Sequence, residues 1–260
     1  MINKFIVISF FVLYSLVSQA SIEAYPTITD KFGSQIIFES PMSEEDTIKV
    51  FQINKKDKKL IFEVPFLAQR PEIAFAFFEE LENKENYLIL SQKIQPTYNK
   101  TGIPYVGDYF LNYVFRLSND IYVFDKNISD FLGNGGDVYD IEYIENGNSS
   151  NPKIIYTYPY KSESSIKTEL NGSLFKGWKN KKITKGIVIR KTLLQDVPNY
   201  VQSEKRYLIN NDRFELNGIS GGWLNVTYKN MKNRKITGWI LCKDTSICSS
   251  KQMMSVVLIK

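Results

Sequence analysis

Gly221-Gly-Trp-Leu-Asn-Val-Thr-Tyr228, followed after a basic gap by Ile236-Thr-Gly-Trp-Ile240, alternates in the period-2 manner of β-strands. Alternation places Leu224, Val226 and Tyr228 on one face and Trp223, Asn225 and Thr227 on the other. One face is expected to pack while the other meets solvent or a partner. Just upstream, Arg206-Tyr-Leu-Ile-Asn-Asn-Asp-Arg-Phe-Glu-Leu216 reads as a strand pair around a polar turn. Gly221, Gly222 and Gly238 fall where a small sheet bends sharply or another backbone approaches, places where a Cβ is costly.

In order and spacing, these segments resemble the bacterial SH3-like domain: a strand, a Gly-Gly-Trp strand and a closing Gly-Trp-Ile strand, with Asp212 ahead of them. The resemblance covers residues 184–244, roughly a quarter of the chain. It implies a small β-barrel that acts as a non-catalytic attachment, binds cell-wall peptide or protein ligands, and often sits beside a hydrolase. Under it, Trp223 and Trp239 support the fold or, with Tyr228, line a ligand groove. Residues 21–180 contain no Cys, so a neighbouring thiol peptidase has no nucleophile. The acidic Ala-Leu-Tyr-Asp-Tyr stretch of eukaryotic signalling SH3 domains is absent.

Outward from this module, strand-like runs recur between turn residues at 35–38, 47–53, 59–64, 72–78, 87–93, 108–117, 120–124, 138–144 and 153–158. Pro71 could open a helix. The alternation of Ile73, Phe75 and Phe77 with other residues favours a strand there instead. Asn146-Gly147 is a type I′ turn signal. The expected fold is all-β and mainly antiparallel: an N-terminal β-sandwich or meander-like domain over 21–180, then a C-terminal SH3-like small barrel over 181–260. Residues 171–182, rich in Gly, Asn and Lys, read as the linker between them.

The 260-residue chain is 43% hydrophobic and 14% aromatic, enough apolar surface to offset the entropy of ordering, so a disordered chain is excluded. It has no His. Ser-His-Asp and Cys-His relays therefore cannot be built, and zinc sites lose their commonest nitrogen ligand. No enzyme activity and no cofactor are expected, although designs built on paired carboxylates, Lys or Tyr are not formally removed. Residues 21–180 hold 17 Lys and Arg against 23 Asp and Glu, a balance of −6; residues 181–260 hold 15 against 5, or +10. Such asymmetry suggests units with different partners.

The first 20 residues carry Lys4, an apolar run from Phe5 to Val17 and Ser18-Gln19-Ala20, the layout of a secretory signal cleaved after Ala20. The mature protein is then expected in the periplasm or outside the cell, away from nucleic acid and free of the membrane. Its only cysteines, Cys242 and Cys248, are expected to form a disulfide there; free thiols and a metal or redox site are the alternatives. Asp137, Asp140 and Glu142 cluster beside glycines, but their spacing does not match a twelve-residue calcium loop, and a solvated hairpin is the simpler reading. Lys229, Lys232, Arg234 and Lys235 sit in one presumed hairpin and would attract an anionic polymer or an acidic protein surface, or merely guard a sheet edge. The expected function is binding to a protein or cell-wall peptide ligand in the envelope; the alternative is an immunity protein or inhibitor that neutralises a periplasmic toxin or cell-wall hydrolase.

Overall fold

The computed structural model describes residues 23–41, 43, 46–55, 57–67, 69–96, 102–140, 153–200, 205–230 and 232–249. The signal segment, Glu142 and the Asn146-Gly147 turn lie outside the described residues. Antiparallel sheets dominate, so the all-β class holds. The first sheet is a meander of β1 (Glu23–Thr29), β2 (Gln35–Glu39), β3 (Ile48–Asn54) and β4 (Asp57–Val64). A second sheet runs in the order β10-β9-β7-β6-β5, from β5 (Glu72–Glu80), β6 (Asn86–Ile94), β7 (Tyr105–Ser118), β9 (Asn134–Tyr139) and β10 (Ile154–Tyr156). The short β8 (Ile121–Phe124) also pairs with β7. The stretch after Pro71 is thus a strand.

Period-2 patterning stacks these two sheets. Ile36, Phe38, Ile48, Val50 and Val64 of the first share a core with Ile73, Leu88, Leu90 and Phe115 of the second. Each such fully buried side chain contributes about 1.5–3 kcal/mol. In β6 every residue from Tyr87 to Gln92 is buried, so this central strand is covered on both faces.

The cover on its far side comes from three helices and the C-terminal unit. Helix α1 (Lys126–Leu132) starts at Asp125, whose carboxylate accepts from Ile128 N. Helix α2 (Glu163–Leu170) opens with a reciprocal Ser162–Ser165 capping box. Residues 171–182, expected as a linker, instead contain α3 (Ser173–Lys179). Gly172 and Asn180 are its end residues, while Leu174 and Phe175 are buried and Trp178 packs 4.6 Å from Phe131. The polar residues that suggested a loop are the solvent side and ends of a short amphipathic helix.

In the C-terminal unit the sheet order is β11-β14-β15-β16, from β11 (Lys185–Ile187), β14 (Arg213–Ser220), β15 (Trp223–Lys229) and β16 (Lys235–Leu241). A separate ribbon joins β12 (Thr192–Leu193) to β13 (Tyr207–Leu208). The two strands expected to pair across residues 209–212 both exist, but β13 pairs with β12 and β14 with β11 and β15. Between them the Asp212 carboxylate accepts from Ile209 N and Asp212 N donates to the Ile209 carbonyl, closing the turn. The four-stranded sheet remains open, so no closed barrel forms among the described residues. Bridges at Gln195–Trp239 and Val188–Thr245 tie its margins.

Gly221 and Gly222 make the two-residue β14–β15 turn, with φ of +60° and +82°, as a type I′ hairpin requires. At Gly238 a Cβ would stand 2.8 Å from the Gln195 carbonyl oxygen, so the bridge to residue 195 depends on glycine. One hydrophobic cluster runs from Ile89 and Val114 of β6 and β7 through Phe131 and Phe175 to Trp223, Leu224 and Ile240.

Candidate functional site

Trp223 is buried, with its ring 5.4 Å from Tyr156 of the first unit. Alternation predicted a face turned to solvent or a partner, and Trp223 meets the remainder of its own chain. Trp239 is half-buried, packs against the same core and exchanges both backbone hydrogen bonds with Gln195 at 2.8 Å. Tyr228 is half-buried; burial first, then the neighbouring Asp212, pushes its phenol above the ordinary value.

Beyond Tyr228 the hairpin is cationic. Asn230 organises its tip, its side-chain oxygen accepting from Lys232 N and Arg234 N at 3.0 Å. Lys229, Lys232, Arg234 and Lys235 are all exposed. Lys229 stands directly opposite Lys235 across the β15–β16 ladder, where like charges repel. No carboxylate among the described residues forms a salt bridge with any of the four. The fold thus brings these cations together, with Trp223 buried in the core and Trp239 half-buried against it.

Cys242 and Cys248 are bonded, with Cα atoms 5.5 Å apart, closing the segment after β16. Asp137 is committed to structure: it accepts from Tyr158 N at 3.0 Å and pairs with Lys161 at 2.6 Å. Among the described residues no His, Cys, Asp and Glu group is arranged to hold a metal ion. No helix of the described residues is long and apolar enough to cross a membrane.

A cavity of about 350 Å³ lies elsewhere, at a break in the second sheet. The outer edge of β7 pairs with β8 over residues 115–118 and with β9 at residues 105–111. Between these ladders the chain leaves to form α1, and Val114 is bonded instead by Asp125 N and the Ser129 hydroxyl. Tyr109, Tyr113 and Phe124 line it with Asn134, Asn199 and Ser220; Asn112 also borders it, but its side chain is buried and donates to Tyr158 and Tyr160. Asn199 and Ser220 belong to the C-terminal unit, which closes the cavity from the far side. Burial, reinforced by the neighbouring Tyr105, pushes the Tyr109 phenol up to about 12, and burial alone does so for Tyr113. Both remain neutral donors. The one carboxylate in the lining, Asp130, is paired with Lys126 at 2.6 Å.

Sequence reasoning missed this cavity, because its walls come from four distant stretches joined only by the fold. The run Tyr109 to Tyr113, aromatic rings around a lone Asn within a strand, was the one local signal. No protein-family model matches the chain, and neither the curated proteins nor the solved structures contain a match.

Proposed function

We propose that this chain is an exported, non-catalytic binding protein whose C-terminal unit is an SH3-like module that docks an anionic component of the cell envelope, a cell-wall peptide or an envelope protein. The supporting observation is the cationic β15–β16 hairpin, which keeps Lys229 opposite Lys235 and leaves four cations unpaired among the described residues. Unrelieved like-charge repulsion costs stability, so its presence fits a surface that meets negative charge. Export is supported by the N-terminal apolar run and by the disulfide, which persists in oxidising compartments. The absence of His supports a non-catalytic role.

A second reading, an inhibitor or immunity protein against a periplasmic hydrolase, is favoured by Ile189, Tyr207 and Ile209, large apolar side chains exposed on the same unit. It would use the same cations against an acidic protein face.

The test uses the mature full-length chain. Binding to purified cell wall should fall as salt rises, because exposed charges are screened over about 8 Å at physiological ionic strength. Neutralising Lys229, Lys232, Arg234 and Lys235 together should weaken retention and flatten its salt dependence. Undiminished retention by the folded variant overturns the assignment. Retention of a co-expressed hydrolase but not of cell wall would favour the second reading. Amino-terminal sequencing of periplasmic protein should begin at Ser21, and an intact Met1 there would refute cleavage.

A further inference from the structure

The register of the C-terminal sheet sets its outward side chains in rows. Across the β15–β16 ladder Lys229 faces Lys235, Thr227 faces Thr237 and Asn225 faces Trp239. Opposed residues share a face, as do residues two apart along a strand, so all six stand on one side of the ribbon. The other side carries Leu224, Val226 and Ile240, which are buried. Strand β14 extends the rows: Glu215 faces Thr227, and the Phe214–Tyr228 pair sets Arg213 beside Lys229. Arg213, Lys229 and Lys235 therefore form a row of three exposed cations on neighbouring strands, about 4.7–4.9 Å apart. Arg213, like the two lysines, is in no salt bridge among the described residues.

Behind the cations lies a hydrogen-bonding band. Asn217, at a bulge in β14, donates from Nδ2 to Asn225 Oδ1 at 2.9 Å and to the Thr227 hydroxyl at 3.0 Å. The Thr227 and Thr237 hydroxyls are 3.4 Å apart. By the rise of a strand, the Thr pair stands about 6.6 Å and the Asn225–Trp239 pair about 13 Å behind the lysine pair. Three unpaired cations attract an anion, and the band behind them narrows its class. A polar face offers a protein little to bury, since interface cores are poor in charge and rich in aromatic residues. The apolar side chains exposed on this unit, Ile189, Tyr207 and Ile209, lie outside β14, β15 and β16. A bilayer would meet the cations at the hairpin tip and leave the Thr and Asn rows unused. A sugar polymer bearing carboxylates uses both, its charges against the cation row and its hydroxyls along the band. Arg213 suits a carboxylate, because its planar fork takes two oxygens at once. Glu215 stands in the row behind, opposed by Lys185 of β11, so neutral rings with a single charged group fit there better than a backbone charged along its whole length.

We propose that the outer face of β14, β15 and β16 binds an acidic polysaccharide of the uronate type, with Arg213, Lys229 and Lys235 holding ring carboxylates while Asn217, Thr227 and Thr237 exchange hydrogen bonds with ring hydroxyls. The site rests on the hairpin's reading as the dock for an anionic envelope component and gives that component its chemistry.

Titration calorimetry of the mature full-length protein at physiological ionic strength tests this with polygalacturonate, neutral dextran, polyglutamate and vesicles containing an anionic phospholipid. Polygalacturonate should bind at least about tenfold more tightly than polyglutamate, which has carboxylates but no sugar, while dextran and vesicles should not bind. Thr227→Val combined with Thr237→Val keeps β-branched residues in the strands and removes both hydroxyls. It should weaken polygalacturonate about tenfold and leave polyglutamate unchanged. Should that variant fail to fold, Asn217→Ala at the exposed bulge gives the same comparison. Neutralising Arg213, Lys229 and Lys235 together should abolish binding of both polymers. Equal binding of the two polymers, unchanged polygalacturonate binding in the folded hydroxyl variant, or binding of vesicles alone overturns the uronate site and leaves an anion-binding hairpin standing. Binding of no polyanion at all overturns the hairpin reading with it.

Discussion

The Tyr156 hydroxyl donates to the carbonyl oxygen of Gly221 at 2.7 Å, so a strand of the second sheet holds the tight turn of the C-terminal unit. Gly221 N in turn donates to the Phe131 carbonyl at 3.1 Å. The turn is gripped on both backbone groups. Tyr156→Phe leaves a buried carbonyl without its donor and should cost about 1–3 kcal/mol in denaturant unfolding. Because the hydrophobic cluster is continuous through this junction, wild type should unfold in one transition by both circular dichroism and tryptophan fluorescence.

Trp223→Ala removes a fully buried ring packed on Tyr156 and should cost about 3–5 kcal/mol. Trp239→Ala, at a half-buried position, should cost less. Equal losses in the two variants would refute the difference in their packing.

Glu85 pins α3 to the β5–β6 hairpin through Lys179. Burial would raise its carboxyl, but hydrogen bonds from Lys179, Tyr87 and Asn83, with the Lys179 charge, hold it at about 2 against an ordinary 4.5. A lowered carboxyl contributes stability that is fully present above about 4.5 and is lost as pH falls towards about 2. Stability measured across that window should decline more steeply in wild type than in Lys179→Met. Parallel curves would show that the pair adds nothing.

Reducing Cys242–Cys248, or replacing both by Ser, releases a short loop and should cost roughly 2 kcal/mol. Alkylation of the denatured protein should label neither sulfur before reduction and both after it. Labelling without reductant would refute the bond.

Gly135 and Gly218 make a matched pair. A Cβ at Gly135 would meet the Tyr158 ring at 2.6 Å, and hydrogen bonds to Leu132, Gly133 and Asn112 prevent that ring from yielding. Gly135→Ala should therefore cost about 1–3 kcal/mol. At Gly218 the nearest atom stands 3.9 Å away, and Ala there should change stability by about 0.5 kcal/mol or less. Thermal unfolding of the two variants checks both.

Local pattern alone determined much of this protein. The apolar run from Ile73 to Phe77 identified β5 as a strand, although a register shift between Ile73 and Phe75 turns these two side chains to different cores; alternation identified β15 from Trp223 to Tyr228, because side-chain direction in a regular strand follows from neighbouring residues. Gly221-Gly222 announced its turn through backbone freedom, and the sole two cysteines announced their bond. The basic hairpin was legible for the same reason, since Lys229 and Lys235 lie close in sequence on either side of one turn. Tertiary structure decided the rest. Which strand β13 pairs with, and whether Trp223 faces solvent or Tyr156, depend on contacts between segments far apart in the chain, and no local period encodes them. Asn112 shows this most fully: it reads as one polar residue in a strand until Tyr158 and Tyr160, 46 and 48 residues on, occupy its amide and leave its carbonyl oxygen unpaired.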